Sequence, residues 1–446
     1  MTKMFDAEAS PEKRLFISLI TRDITLADAI IDLLDNSVNA AMRPIRNNFS
    51  SAADFHALFT KKGLRPSVTI RVSFDKNYVM VVDDAAGIDF ETAQHEVFRF
   101  GHSDNHASAR DRLSVYGIGM KRALFKIGKQ VSMFSDHKAG GFALNLNVPK
   151  WERDAELPWK IPITKRPPTQ KTGTTINISS VHPEIGTRLN DGTFHKDLVD
   201  RIAKVYSFFI GRIVNIYVNG KEVERTDFEI GQDNFSHAKF RRDGVDCSIL
   251  AGIAAPAGDR FLAEDAGWFV FCNYRTVLYA DKSALTGWEA GALSIFQPKH
   301  RPFLGIVLFT SSDPDALPWT TTKGHINEDS AVWQEAKLHM VAVGKPLTSF
   351  LDKRYSNDGP NIQPSGIAKL AGAAINVFDA AVSGRSTFEV PATKKKKEKT
   401  TVTVQYDIEM DELTAVRNHY GLATMSAREI GRKSFDYFLE YEVGEK

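Results

Sequence analysis

The stretch 26–41, LADAIIDLLDNSVNAA, constrains this chain more than any other. Asp28, Asp32, Asn36 and Asn39 recur at spacings of four, four and three, which lines them along one face of a helix. Leu26, Ile30, Leu33 and Leu34 supply an apolar stripe that can dock on a core. A row of carboxylates and amides beside such a stripe suits a hydrated cation. An ordinary amphipathic helix with a solvated polar face accounts for the same pattern. Thr25 offers a cap, and Asp28, three residues on, stands where a capping-box acid belongs, so Asp28 has a structural task. The helix is expected to end near Met42-Arg43-Pro44.

Two strands are predicted next, over 67–73 and 78–82, joined by a turn at Asp75-Lys76-Asn77. The second runs into Asp83-Asp84-Ala85-Ala86-Gly87, which places a carboxylate at a strand end beside small residues. A helix over 91–100 precedes a polar run, and Tyr116-Gly117-Ile118-Gly119-Met120-Lys121 then leads into another helix near Arg122. Glycines and a lysine just before a helix start suit phosphate, because free N–H groups and the positive dipole end converge there. Further strands are expected over 130–135, 141–148 and 173–179, with 149–171 as a surface loop. A helix over 195–210 leads to a strand at 213–218 and an Asn219-Gly220 turn.

Strands over 268–273 and 303–310 follow, then a polar loop with Trp319, three threonines and Lys323, and a helix over 331–354. Residues 356–364 read as a break, and 383–400, with four successive lysines at 394–397, as a linker. The tail 401–446 reads as a strand, TVTVQYDI, then two helices separated by Gly421. A net charge of +2 points to neither nucleic acid nor membrane. Two cysteines, Cys247 and Cys272, lack metal-ligand spacing, and no apolar run reaches the ~20 residues of a membrane helix. The expectation is a soluble cytoplasmic protein with no membrane partner.

The order acid–amide helix, strand-end Asp with a small-residue turn, GxGxK before a helix, then a Gly-Thr strand resembles the GHKL superfamily of gyrase B, heat-shock chaperones, MutL-type proteins and histidine kinases. Among these the chain looks most similar to MORC-like prokaryotic ATPases. The resemblance implies an α+β protein. A two-layer α/β sandwich ATP-binding domain (1–190) would precede a transducer-like α+β domain (191–355). A helical segment with a basic linker (356–400) and a small C-terminal βαα module (401–446) would follow.

It further implies ATP and Mg²⁺ as ligands, with Asn36 on the metal. Asp32 would stand where most ATP-splitting members carry Glu, one methylene longer, and would act on the attacking water. Asn39 stands where many members carry Asp, and Asp35 is a weaker substitute for Asp32 because it points about 100° from Asn36. Asp83 would accept from the adenine amino group. Gly87 matches the last Gly of the family's DxGxG, while Ala85 replaces the first. Gly117, Gly119 and Lys121 would wrap the phosphates beneath a lid at 100–119, Thr174 would bond near adenine, and Lys323 would reach the γ-phosphate.

A histidine kinase is not expected, since little chain precedes the helix. A topoisomerase is not expected either, since little follows the transducer. An ATP-gated switch that dimerises on ATP and drives a protein partner or a nucleic-acid clamp, by analogy in bacterial defence, is the leading expectation. The second is a nucleotide-sensing interaction module with negligible hydrolysis. The tail is expected to be a docking or dimerisation module, with DNA binding as the other reading.

Overall fold

The computed structural model describes residues 12–46, 65–100, 117–154, 159–256, 261–358, 373–376, 388, 404–421 and 424–443. The chain forms two compact units, Met1–Val390 and Pro391–Lys446.

In the first unit, α1 (Lys13–Arg22) leads into α2 (Leu26–Arg46). The Thr25 N–H donates to Asp28 Oδ2 at 2.9 Å and the Asp28 N–H to Thr25 Oγ1 at 3.1 Å, the reciprocal box expected there. Leu26, Ile30, Leu33 and Leu34 are all buried. Helix α2 does not stop before Pro44 as the pyrrolidine ring would suggest. It runs on to Arg46 with Pro44 inside its last turn, where only one ladder bond is lost.

An eight-stranded sheet holds β1 (Val68–Asp75), β2 (Tyr78–Asp83), β3 (Gly128–Asp136), β4 (Phe142–Asn147), β5 (Thr164–Lys165), β6 (Gly173–Val181), β7 (Val214–Val218) and β8 (Lys221–Glu222), in the order β5-β4-β3-β6-β2-β1-β7-β8. Only β1 and β7 run parallel; the other neighbours are antiparallel. The register Asp83↔Thr174 and Ser135↔Thr174 brings the ends of the interior strands β2, β6 and β3 together. Helix α3 (Gly119–Ile127) begins at Gly119, three residues earlier than expected, and packs on α2.

The segment after β4 is not simply a surface loop. It contains α4 (Val148–Arg153), whose Trp151 is 3% exposed and stacks on Phe125 at 5.7 Å. Phe16, Phe100, Trp151 and Trp159 form edge-to-face pairs 4.8–6.0 Å apart, burial that a polar-looking segment conceals. Helices α5 (Pro183–Leu189) and α6 (Gly192–Val205) follow.

A second, six-stranded sheet is built from β9 (Glu229–Arg242), β10 (Val245–Ala254), β11 (Gly267–Cys272), β12 (Arg275–Asp281), β13 (Phe303–Thr310) and β14 (Ala374–Asn376), ordered β12-β11-β13-β10-β9-β14. Every residue of β11 and β13 is buried, as strands covered on both faces require. The long hairpin β9–β10 went unread in the sequence, because its polar and apolar residues alternate imperfectly around a bulge near Gly252. Helix α7 (Ala331–Asp358) packs along β9, β10 and β13, and α6 lies against β12. No helix among the described residues is long and apolar enough to cross a membrane.

The second unit contains α8 (Met410–Tyr420) and α9 (Ala427–Phe438), the latter extended by a wider turn at Leu439–Val443. Gly421 caps α8 at φ +67°. Residues 404–409, which include the end of the expected strand, form neither helix nor strand and pair with no strand among the described residues. A strand needs a neighbour to take its backbone hydrogen bonds, and this unit supplies none among the described residues.

Candidate functional site

The site is built where α2 and α3 meet the aligned ends of β2, β3 and β6. Asp83 closes β2, and its side chain is 6% exposed. Its Oδ2 accepts from the Ser37 hydroxyl at 2.8 Å and its Oδ1 from the Ala85 N–H at 3.2 Å. Burial pushes the Asp83 carboxyl up to about 6, against the lowering effect of its bonds to Ser37, Ala85 and Thr174. The neighbouring Thr174 Oγ1 lies 3.1 Å from Ser135 Oγ, which in turn accepts from the Ile88 N–H at 2.7 Å. These three strand ends therefore present a carboxylate and two hydroxyls within one small patch.

Gly87 follows at φ +73°, and a Cβ there would lie 2.0 Å from the Asp136 carbonyl oxygen. Only glycine fits a left-handed backbone pressed this closely on a strand. Ala85, where the family pattern has its first Gly, is buried among the core residues.

On α2, Asn36 is half-buried and its Nδ2 donates to the Asp32 carbonyl at 2.9 Å. The atom facing a carbonyl must be the amide nitrogen, so Oδ1 is turned away. No described residue bonds to that Oδ1. A hard, neutral oxygen presented this way fits one ligand position of Mg²⁺, which keeps most of its waters. Asn39, half-buried one turn further on, has a partner of its own.

Asp32 is 3% exposed, and Arg122 of α3 binds it bidentately, through Nε to Oδ2 and through Nη2 to Oδ1 at 2.9 Å. Gly119, the first residue of α3, sits against the same carboxyl: a Cβ there would approach Asp32 Cγ to 3.3 Å. Gly117 adopts φ +60° just before. Lys121 turns inward, its Nζ donating to the carbonyls of Arg99 and Gly117 and lying 5.4 Å from the Phe100 ring centre. Burial pulls the Lys121 ammonium down to about 8. Of the lid expected over 100–119, residues 101–116 lie outside the described residues.

Asp35, on the adjacent face of α2, is the most heavily ligated group in this region. Its Oδ1 accepts from Tyr206 Oη at 2.7 Å and Arg275 Nε at 3.0 Å, and its Oδ2 accepts from Lys323 Nζ at 2.7 Å. Burial alone would raise its pKa, but the charges of Arg275 and Lys323, with the bonds from Lys323 and Tyr206, hold it below the usual carboxylate range. Lys323 itself takes φ +53° in its loop, and its carbonyl accepts from Arg275 Nη1 at 2.7 Å.

The sequence-predicted residues thus divide into groups. Asn36, Asp32 and Gly119 meet at the α2–α3 contact, while Asp83, Gly87 and Thr174 meet at the strand ends; Ser37 joins the groups. Lys323 reaches α2 as well, but on the Asp35 face. Sequence reasoning missed Arg122, Ser37, Ser135, Tyr206 and Arg275. Ser37 carried a faint signal, a hydroxyl between Asn36 and Val38 on the helix that bears the acid–amide row. The others carried none, since their partners lie far away in the chain.

A search of curated proteins found no match to this chain. Residues 24–180 match the family model described as Histidine kinase-, DNA gyrase B-, and HSP90-like ATPase, and over that stretch the chain carries a GHKL-type ATPase domain.

Proposed function

We propose that this chain is an ATP-driven conformational switch whose nucleotide lies across the α2–α3 contact and the ends of β2, β3 and β6. The single observation that carries the reading is the 2.8 Å bond from Ser37 to Asp83, which joins the Asn36 helix to the strand-end carboxylate in one site. Ionised Asp83 accepts from the adenine amino group, a contact guanine cannot offer because it presents a carbonyl there. Thr174 adds a hydroxyl beside it, and Gly87, pressed on the Asp136 carbonyl, holds the turn that borders the base. The start of α3, with Gly117 and Gly119, receives the phosphates, and Lys121 turns out from its two carbonyls to pair with them. Asn36 holds Mg²⁺, which when bound neutralises phosphate charge. Asn39 lines the same face one turn on.

For hydrolysis, Asp32 orients the attacking water once its carboxylate is released from Arg122, and Lys323 stabilises charge at the γ-phosphate after leaving Asp35. The part of the chain around the second sheet, 191–355, acts as the transducer that reads this state. ATP-dependent dimerisation, and work on a protein partner or on nucleic acid, by analogy in defence, complete the proposal.

A specific observation favours a second reading, nucleotide sensing with negligible turnover. Both candidate catalytic side chains are already committed to buried ion pairs, Asp32 with Arg122 and Lys323 with Asp35. Phosphate release by the purified chain separates the two. Release that Asp32→Ala abolishes while ATP still binds supports the switch; no release above background, with ATP bound, leaves sensing. Binding of Mg-ATP that survives Asn36→Ala unchanged rejects the site itself.

A further inference from the structure

The unit Pro391–Lys446 has little to hold it together alone. Its buried apolar residues among those described are Leu413, Met425 and Ile430. A chain of this size ordinarily needs a larger core, a cross-link or an oligomeric partner. Beyond Ile430, α9 and its extension run almost entirely in solvent, with Phe435 47%, Phe438 54% and Tyr441 65% exposed.

One stripe of this helix is patterned for a particular neighbour. Arg428, Gly431, Phe435, Phe438 and Glu442 recur at spacings of three and four, the seam spacing of paired helices. A cation stands at one end, an anion at the other, and two phenyl rings lie between. A parallel copy would set Arg428 against Arg428. An antiparallel copy sets Arg428 against Glu442 at both ends, with Phe435 near the two-fold axis and Gly431 facing Phe438. Isologous contacts of this kind are self-complementary by symmetry.

Gly431 gives an independent indication. It sits in the middle of a helix, where glycine is costly, and a Cβ there would meet nothing within 4 Å. The unit's own packing does not require it. A phenyl ring arriving from outside does. Val404, Tyr406 and Ile408, just before α8, and Met410 in its first turn are exposed as well.

We infer that a second copy of this chain covers the Phe435–Phe438 stripe, through antiparallel pairing of α9 with its symmetry mate, and that this dimer forms without nucleotide. It is separate from the ATP-dependent contact proposed above, so either stands if the other fails.

Sedimentation velocity on the full chain, free of nucleotide, tests this over a concentration series. The expected result is a dimer that Asn36→Ala leaves intact and that Phe435→Ser/Phe438→Ser converts to monomer. Arg428→Glu and Glu442→Arg should each weaken association about tenfold or more, and the double swap should restore it. Gly431→Ala should raise helix content by circular dichroism while weakening association, opposite effects that misfolding does not produce. A nucleotide-free chain that is monomeric at about 50 μM, far above the range of stable interfaces, overturns the inference. So does a dimer that survives the double serine variant, which would place the contact elsewhere. A swap that fails to restore association rejects the antiparallel pairing and overturns the inference.

Discussion

Lys323 Nζ lies 2.7 Å from Asp35 Oδ2, a contact that spans 288 residues of sequence and joins the loop after β13 to the helix that bears Asn36. Arg275, from the start of β12, shares the same carboxylate, and all three side chains are at most 5% exposed. Two cations on one buried anion leave a net positive charge that solvent does not screen. The arrangement ties the two sheets together and keeps a charge poised for an anion near α2.

Removing the shared carboxylate should therefore cost more than removing one of its partners. Asp35→Ala leaves Arg275 and Lys323 buried without compensation, a loss of about 3–5 kcal/mol. Lys323→Met leaves Asp35 with Arg275 and Tyr206, at a cost of about 1–2 kcal/mol. Urea unfolding followed by circular dichroism measures both, and the reverse ranking would discard the shared-carboxylate account.

Asp83 makes the site pH-sensitive. Its folded pKa of about 6 stands above the ordinary 3.8, so the native state holds an extra proton between those values. The associated stability is present below pH 3.8 and is lost as pH rises through about 6. ATP affinity should run the opposite way, falling below pH 6 as the acceptor becomes protonated. Asp83→Asn should weaken ATP by about 1.5–3 kcal/mol and remove this part of the pH dependence. Calorimetric titrations from pH 5 to 8 check it; an identical pH profile in the variant counts against Asp83 as the acceptor.

Gly87 and Gly220 both adopt positive φ, +73° and +80°, yet only Gly87 is crowded. Gly220→Ala should cost about 1–2 kcal/mol, the left-handed penalty alone. Gly87→Ala adds a clash with the Asp136 carbonyl and should cost about 3 kcal/mol or more. Thermal unfolding of the two variants side by side measures the difference.

Lengthening Asp32 should not create a better enzyme. The carboxyl fits between Gly119 and the guanidinium of Arg122, and Asp32→Glu pushes one methylene into that space. The expected outcome is a loss of about 1–3 kcal/mol in stability with no gain in phosphate release. A variant that is as stable as the parent and hydrolyses ATP faster would show that the missing methylene, not the ion pair, limits turnover.

Local features were legible in the sequence because local rules decide them. The Thr25–Asp28 box, the β1–β2 hairpin and the Gly421 cap each depend on residues within a few positions of one another. The apolar stripe of α2 was equally plain, since period and burial coincide. The failures were also physical. Pro44 did not end α2, because a last-turn proline loses a single bond. TVTVQYDI reads as a strand by alternation alone, yet 404–409 have no partner strand among the described residues.

What only the tertiary structure decided is which groups each acid on α2 is bonded to. The family resemblance made Asp32 the catalytic carboxylate, and Asp35 a weaker alternative because of its angle around the helix. Their surroundings come from 90 to 288 residues away: Arg122 for Asp32, and Tyr206, Arg275 and Lys323 for Asp35. A side chain's charge state and freedom to react depend on what is packed against it. Residue order along the chain determined that a helix with Asp32, Asp35 and Asn36 would exist; the meeting of two sheets around that helix determined their partners.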